Sequence, residues 1–307
     1  MGNSFTDTLI LAPMHGLTGF SFRNPYDEIF PNSFSKAITP FISLTHGSML
    51  FSKRKYKDVL PQNNTSNMEI IPQVLGNDAY GIRQMAIALK ELGYKTMNWN
   101  LGCPYENVIK KQRGAALINN HWLIERICKE VNEEGMKISL KLRLGNEKME
   151  VFNLIDIINS EIVDSIILHP RLAKDKYEDR IDLFAFEEFA KRINKPLTYN
   201  GDIFTREKFL FLKEKFPQIT EWMIGRGVLY DPFLPYKIKG IPFNDSNEKI
   251  ILLLERMIDN GSSIDKIKEY FRFFYQILSI NEKEKERILK IGDIKIFVNT
   301  IKEVVLT

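Results

Sequence analysis

A chain of 307 residues, 44% of them hydrophobic and with a formal net charge of only +4, can bury a large core. It permits a nucleic-acid partner without demanding one. Its two cysteines, Cys103 and Cys128, stand far apart, which argues for a reducing, cytoplasmic setting and against a disulfide framework or a thiolate metal site. No apolar run approaches the length of a membrane span, and the first residues lack the basic-then-apolar pattern of a signal peptide.

Short strand-like runs are predicted at Thr8–Ala12, Lys36–Thr39, Glu69–Leu75, Thr96–Asn100, Lys137–Leu142, Ser165–Leu168, Pro196–Tyr199 and Trp222–Ile224. Amphipathic helical segments alternate with them: Tyr80–Leu92, Trp122–Glu133, Asp182–Arg192 and Arg206–Lys215. Gly93 and Gly135 stand where left-handed caps would end two of these helices. Eight such runs with helices between them predict parallel strands closed into an α/β (β/α)8 TIM barrel. The polar stretch Ser48–Asn67, with its basic triplet Lys53-Arg54-Lys55, reads as a long solvated loop. Beyond Gly240 the texture becomes helical, over Glu248–Asn260, Ser263–Leu278 and Glu282–Val305. Ile264, Ile267, Phe271, Phe274 and Leu278 form a stripe that should pack as core. The expected organisation is a catalytic barrel over residues 1–240 and a small all-helical domain over 241–307.

In such a barrel, reactive groups gather at the C-terminal ends of the strands. Those ends carry Pro13-Met14, Gln73, Asn100 with Cys103, Lys141, His169, Asn200-Gly201-Asp202 and Gly225-Arg226-Gly227. A cysteine between Gly102 and Pro104 at a strand tip is badly placed for a core and well placed to meet a ligand, whereas Cys128 lies in a helical run and reads as an inert thiol. The two Gly-rich turns after the last two strands, with the Arg226 cation, point to phosphate. Lys141 sits in the otherwise apolar strand Ile138–Leu142. A buried ammonium needs an anionic or polar partner, such as a phosphorylated cofactor with the electron-rich ring of a reduced flavin. There is no Walker loop and no GxGxxG after a strand, so a nicotinamide donor would have no Rossmann domain of its own.

These residues, in this order, resemble the dihydrouridine synthase family, flavin enzymes that reduce uridine in RNA. The resemblance runs collinearly from Leu11 to about Asp231. It comprises Ala12-Pro13-Met14, Pro72-Gln73, Asn100-Leu101-Gly102-Cys103-Pro104, Gly114-Ala115-Ala116-Leu117, Lys141-Leu142-Arg143-Leu144-Gly145, Asn200-Gly201-Asp202 and Ile224-Gly225-Arg226-Gly227. It implies FMN as cofactor, NADPH as reductant and tRNA as substrate, with no obligate protein partner. Pro13, Met14 and Gln73 would line the isoalloxazine ring, and Lys141 and His169 would contact the ring and ribityl chain. Asn200, Gly201, Asp202, Gly225 and Arg226 would hold the ribityl and phosphate end. Asn100 would orient the target uracil, Cys103 would be its general acid, and Arg143 and Arg171 would contact substrate. Lys110, Lys111, Arg113, Lys174 and Lys176 are further basic candidates for the rim. Two positions depart from the family: His169-Pro170-Arg171-Leu172 stands where His-Gly-Arg-Thr is usual, and Gly19 stands where Asp is frequent. Two other functions share parts of the pattern, a small-molecule flavin oxidoreductase of the dihydroorotate dehydrogenase or ene-reductase type and a non-catalytic RNA-binding barrel.

Overall fold

The computed structural model describes residues 5–44, 56–178, 180–244 and 246–306; the basic triplet Lys53-Arg54-Lys55 lies outside them. Among the described residues ten strands form one wholly parallel sheet: β1 (Thr8–Leu11), β2 (Lys36–Ile38), β3 (Ile42–Ser43), β4 (Glu69–Ile71), β5 (Gln73–Leu75), β6 (Thr96–Leu101), β7 (Lys137–Gly145), β8 (Ser165–Leu172), β9 (Leu197–Asn200) and β10 (Glu221–Ile224). The sheet closes on itself. β2 and β3 are one stretch interrupted at Pro40, and β4 and β5 are one stretch interrupted at Pro72, each proline lacking the N–H that a ladder needs. β2 pairs with β4 and β3 with β5, and the Thr39 N–H donates to the Ile71 carbonyl at 3.0 Å across the break. With β10 paired to β1, eight strand positions complete the TIM barrel.

Alternation along each strand divides its side chains between two environments. Leu9, Leu11, Met97, Trp99, Ile138, Leu140, Ile166, Leu168, Trp222 and Ile224 join the large core that contains the surrounding helices' apolar faces. Their neighbours Ile10, Ile38, Ile167 and Met223 form a separate small cluster with Ala12 inside the barrel. The helices start on side-chain caps: Asp78 accepts from the Gly81 N–H at 3.1 Å, Asp182 from Ala185 at 2.8 Å and Thr205 from Lys208 at 3.1 Å. Gly93 and Gly135, at φ +92° and +74°, end two of them as expected.

Two strands outrun their apolar runs. β7 continues past Leu142 and β8 past Leu168, pairing Arg143 with His169 and Gly145 with Leu172 around a bulge. The charged residues there end the hydrophobic pattern but not the hydrogen-bond ladder.

After Gly240 (φ +66°) come helices at Asn247–Asp259, Ile264–Phe274, Glu282–Leu289 and Ile294–Leu306. The single helix expected over Glu282–Val305 is two. Gly292 precedes Asp293, whose Oδ1 accepts from the Lys295 and Ile296 N–H groups at 2.9 Å each and starts a new helix. Ile267, Phe271, Phe274 and Leu278 are buried as the stripe requires, and Ile264 is half-buried. The helical segment seals onto the first barrel helix, Phe20–Ile29, where Phe22 and Tyr270 stack at 5.3 Å and the Tyr270 hydroxyl donates to the Leu17 carbonyl. Among the described residues no helix is long and apolar enough to cross a membrane.

Candidate active site

A cavity of about 260 Å³ opens at the C-terminal ends of the strands. Its walls bring together Pro13, Met14, Asn100, Cys103, Lys141, Arg143, His169, Asn200, Gly201, Asp202, Gly225 and Arg226, residues that span more than two hundred positions of the chain. Gln73, expected among them, is not in the lining. It is fully buried, with its Nε2 donating to Asn98 Oδ1 at 2.7 Å and its Oε1 accepting from Asn100 Nδ2 at 3.0 Å. Its direct contact is with Asn100.

Cys103 follows the end of β6 and is 6% exposed. The turn before it is held by the Gly102 N–H, which donates to Asn100 Oδ1 at 3.1 Å. Behind it lies Gly114 at φ +57°, where a Cβ would stand 2.7 Å from the Cys103 carbonyl and 2.9 Å from its Cβ. Ala115 then donates its N–H to that carbonyl at 3.2 Å. Only glycine allows this close, left-handed approach, which gives the Gly114-Ala115 element its purpose. Burial pushes the Cys103 thiol above its ordinary pKa, outweighing the Tyr105 backbone N–H and the Arg143 and Lys141 charges that favour thiolate. The group is therefore a neutral S–H at pH 7.

On β7, Ser139, Lys141 and Arg143 take the interior positions while Leu140 and Leu142 face the outer core. Burial first, and then the Arg143 charge, lowers the Lys141 pKa to about 7, with Cys103 opposing weakly. No carboxylate pairs with Lys141 among the described residues. Across the ladder His169 is held neutral, its pKa far below the usual histidine value. Burial is the main cause, and Arg143, Lys141, Arg171 and Arg226 add to it. Its Nδ1 is buried with no hydrogen-bond partner among the described residues.

Asp202, at φ +44°, stands after β9 and accepts from two arginines at once. Arg171 donates from Nη1 at 3.1 Å and from Nη2, and Arg226 donates from Nη2 at 2.8 Å. Three basic side chains of the lining, Lys141, Arg143 and Arg226, stand against this one carboxylate, which Arg171 also pairs, so the cavity carries a surplus of positive charge fit for an anion. Arg226 also lies over the Tyr177 ring at 4.3 Å and Arg143 lies over it at 5.0 Å.

The seven basic candidates for a nucleic-acid rim separate by burial. Lys110, Lys111, Lys174 and Lys176 are exposed. Arg113, Arg143 and Arg171 are buried. Arg143 Nη1 donates to the carbonyls of Leu172 and Lys176 at 2.9 and 2.6 Å, which folds the segment bearing Tyr177 over the mouth. Arg171 is committed to Asp202 and, unlike Arg143, is not among the cavity's lining residues. Sequence reasoning missed the aromatic lining from Tyr105, Tyr177, Phe204 and Phe273, the last contributed by the helical segment. Those residues lie outside any motif, and only their convergence on the mouth marks them. The departure at Gly19 is compensated in space. Asp58 Oδ1 lies 2.7 Å from where a residue-19 Cβ would be and accepts from the Phe20 N–H at 2.8 Å. Pro170 fits within β8, its carbonyl accepting from the Asp182 N–H at 2.9 Å.

A parallel barrel with a cation-rich cavity, an unpaired buried lysine and a protonated thiol at a strand tip is the frame of a barrel enzyme that binds an anionic cofactor. A family model, Dihydrouridine synthase (Dus), matches residues 10–301, and the chain belongs to that family. It is accordingly a flavin-dependent oxidoreductase. The chain is 29% identical over 291 residues to a probable tRNA-dihydrouridine synthase of Staphylococcus epidermidis, covering 89% of this chain and 87% of the relative. It is 27% identical over 209 residues to the tRNA-dihydrouridine(16) synthase of Vibrio parahaemolyticus, covering 65% of this chain and 64% of that one. Among solved structures, morphinone reductase in complex with tetrahydroNAD superposes with a TM-score of 0.57 at 11% identity, covering 86% of this chain and 93% of that chain. The old yellow enzyme homologue of Zymomonas mobilis gives 0.55 at 13% identity, covering 78% and 91%. These two show the barrel fold alone.

Proposed function

We propose that this protein reduces specific uridines of tRNA to 5,6-dihydrouridine, using FMN and NADPH, with Cys103 as the acid that protonates C5. The observation that carries this reading is the neutral, buried thiol of Cys103 in the wall of the same cavity as the unpaired Lys141 amine.

The residues fit FMN. The cation surplus of the lining residues Lys141, Arg143 and Arg226 over Asp202, which Arg171 also pairs, suits a phosphate and an anionic ring, and the unpartnered His169 Nδ1 is a polar atom left for a ligand. Pro13 and Met14 would lie against the ring, with Lys141 and His169 at its polar edge. Asn200, Gly201, Asp202, Gly225 and Arg226 would hold the ribityl phosphate, Asp202 fixing both guanidinium forks beforehand. Gln73 would act on this site through Asn100 rather than by lining it. When bound and reduced by NADPH, FMN supplies the hydride that goes to C6 of the uracil.

Hydride arrival at C6 leaves an electron pair on C5, which takes the proton of the Cys103 S–H as the C5–C6 double bond becomes single. A thiol above its ordinary pKa holds that proton at neutral pH, yet is far more acidic than a hydroxyl. The thiolate left behind is stabilised by Lys141 and Arg143 until solvent returns the proton. Asn100 keeps one N–H and one lone pair uncommitted, the complement of an imide edge carrying an N–H beside a carbonyl. A base must leave its stack to reach this depth, and the exposed Lys110, Lys111, Lys174 and Lys176 supply phosphate contacts at the mouth. The helical segment after Gly240, which contributes Phe273 to the cavity wall, is assigned to binding RNA as a domain distinct from the barrel.

The test is a map of dihydrouridine in tRNA from cells with and without the gene, joined to reduction of unmodified tRNA by purified protein. Loss of the modification at particular uridines, restored by the purified enzyme with NADPH, is expected. An unchanged map together with reduction of a free small enone or orotate would move the assignment to a small-molecule reductase.

A further inference from the structure

The barrel interior between β5, β6 and β7 holds a row of buried polar side chains: Gln73 and Asn98 at 0% exposure and Ser139 at 4%. Branched aliphatics fill such interiors, so buried amides there need every partner satisfied. They have them, and the partners form a directed chain. The Ser139 carbonyl can only accept, and Asn98 Nδ2 donates to it at 3.3 Å and to Ser139 Oγ at 2.8 Å. That leaves Asn98 Oδ1 to accept from Gln73 Nε2 at 2.7 Å. Gln73 Oε1 then accepts from Asn100 Nδ2 at 3.0 Å, and Asn100 Oδ1 accepts from the Gly102 N–H at 3.1 Å, a group that can only donate. Both ends are backbone groups of fixed polarity, so three amides that could each face two ways have one consistent arrangement.

From this chain we propose that Asn98 is a positioning residue for uridine reduction, acting through Gln73 to orient the Asn100 amide and the turn that carries Cys103. The inference rests on the function proposed above. Neither Asn98 nor Gln73 is among the described residues that line the cavity, so the effect is transmitted through Asn100. Turning Gln73 over would set its Oε1 against Asn98 Oδ1 and its Nε2 against Asn100 Nδ2. Asn100 would have to turn in response and present Nδ2 to the Gly102 N–H, donor against donor. The Gly102 turn packs closely on β7, where a Cβ at residue 102 would meet the Leu142 and Arg143 backbone at 3.1 Å, which leaves little room on that side.

What the chain asks of residue 98 is an acceptor facing Gln73, and this separates positioning from packing. Asn98→Leu keeps the volume and removes the acceptor. Asn98→Asp keeps the acceptor, because a carboxylate can only accept and so holds Gln73 in its present sense. It loses the donation to the Ser139 carbonyl, while the Ser139 hydroxyl can turn to donate to it. A packing role predicts the reverse order, since a buried carboxylate costs more than an alkyl group. The experiment is single-turnover reduction of unmodified tRNA by the FMN holoenzyme reduced beforehand, beside the rate of flavin reduction by NADPH. Asn98→Leu should lose about a hundredfold in the uridine step, the size of loss that a small misplacement of reacting groups produces. It should keep the flavin step. Asn98→Asp should retain most of the uridine rate despite a lower melting temperature. Asn98→Leu as fast as Asn98→Asp in the uridine step would overturn the inference. A wild-type holoenzyme that takes electrons from NADPH but reduces no tRNA would overturn instead the function on which it rests.

Discussion

The two halves of the barrel interior are carried by different strands of one sheet and solve opposite problems. On one side Ile10, Ile38, Ile167 and Met223 fill the space with apolar bulk, as a barrel without chemistry would. On the other, Gln73, Asn98, Asn100, Ser139 and Lys141 spend the interior positions on polar groups, all but Lys141 hydrogen-bonded to one another or to backbone. Register joins the halves directly, since Lys141 is paired with Ile167. Within one interior the apolar packing and the polar row are therefore divided by strand, Ile10, Ile38, Ile167 and Met223 standing on β1, β2, β8 and β10 and the polar row on β5, β6 and β7. The two thiols repeat the contrast. Cys128, buried in the helix His121–Glu133, is pushed up to about 12 by burial alone, whereas cations near Cys103 hold its rise in check.

The largest way to break the polar half is Cys103→Ala. Uridine reduction should fall by about 10²- to 10⁴-fold, the usual scale of general acid–base catalysis, while flavin reduction by NADPH is unchanged. Stopped-flow measurement of each half-reaction separates the two, and equal loss in both would remove Cys103 from its assigned step. The pH profile carries the same sign. A proton donor with a raised pKa is loaded below that pKa and lost as pH rises through it, so the uridine step should hold level through pH 8 and decline only at higher pH. Lys141→Met comes next. Removing a charged hydrogen-bond donor worth about 1.5–3 kcal/mol should weaken FMN binding by roughly ten- to a hundredfold. Because the amine has a pKa of about 7 in the protein alone, and an anionic partner requires it charged, wild-type FMN affinity should be full below that pH and fall above it. Fluorescence titrations across pH should show this slope in wild type and not in Lys141→Met. Gly114→Ala is third: a Cβ 2.7 Å from the Cys103 carbonyl at positive φ should cost about 1 kcal/mol or more of stability. It should also slow the uridine step more than the flavin step, which chemical denaturation and the same kinetics would show.

Much of this was legible in the sequence, and the rest was hidden for definable reasons. Short apolar runs located the eight strand positions but not Ile42–Ser43, which Pro40 cuts off from Lys36–Ile38. Strand-tip residues located most of the cavity, because a parallel barrel gathers those tips. Beyond the aromatic lining, other features escaped. The far ends of β7 and β8 were lost where charges interrupt the apolar run, although backbone pairing continues through Arg143 and His169. The break at Asp293 was lost because the apolar period runs on across Gly292, although a glycine followed by an Asp cap was the available signal. The sharing of Asp202 by Arg171 and Arg226 joins three strand ends and leaves no local trace. Gln73 is expected in the lining and stands instead behind Asn100, bonded also to Asn98, a residue that looks like an ordinary strand position until its burial is known.

The smallest change is the strictest test of the division between halves. Ile167→Val removes one methylene from the apolar side at the residue paired in register with Lys141, as close to the chemistry as that side comes. The methylene is buried, so urea denaturation should show a loss of about 0.5–1.5 kcal/mol, near the upper end if neighbouring Ile10 and Met223 do not move into the space. FMN affinity and both half-reaction rates should stay at wild-type values, because valine presents no new polar group and Ile167 is not in the described cavity lining. A shift in the Lys141-dependent pH slope of FMN binding would instead mean that the apolar side sets the burial of the lysine. The two halves would then be one coupled interior, with packing at Ile167 tuning the charge that holds the cofactor.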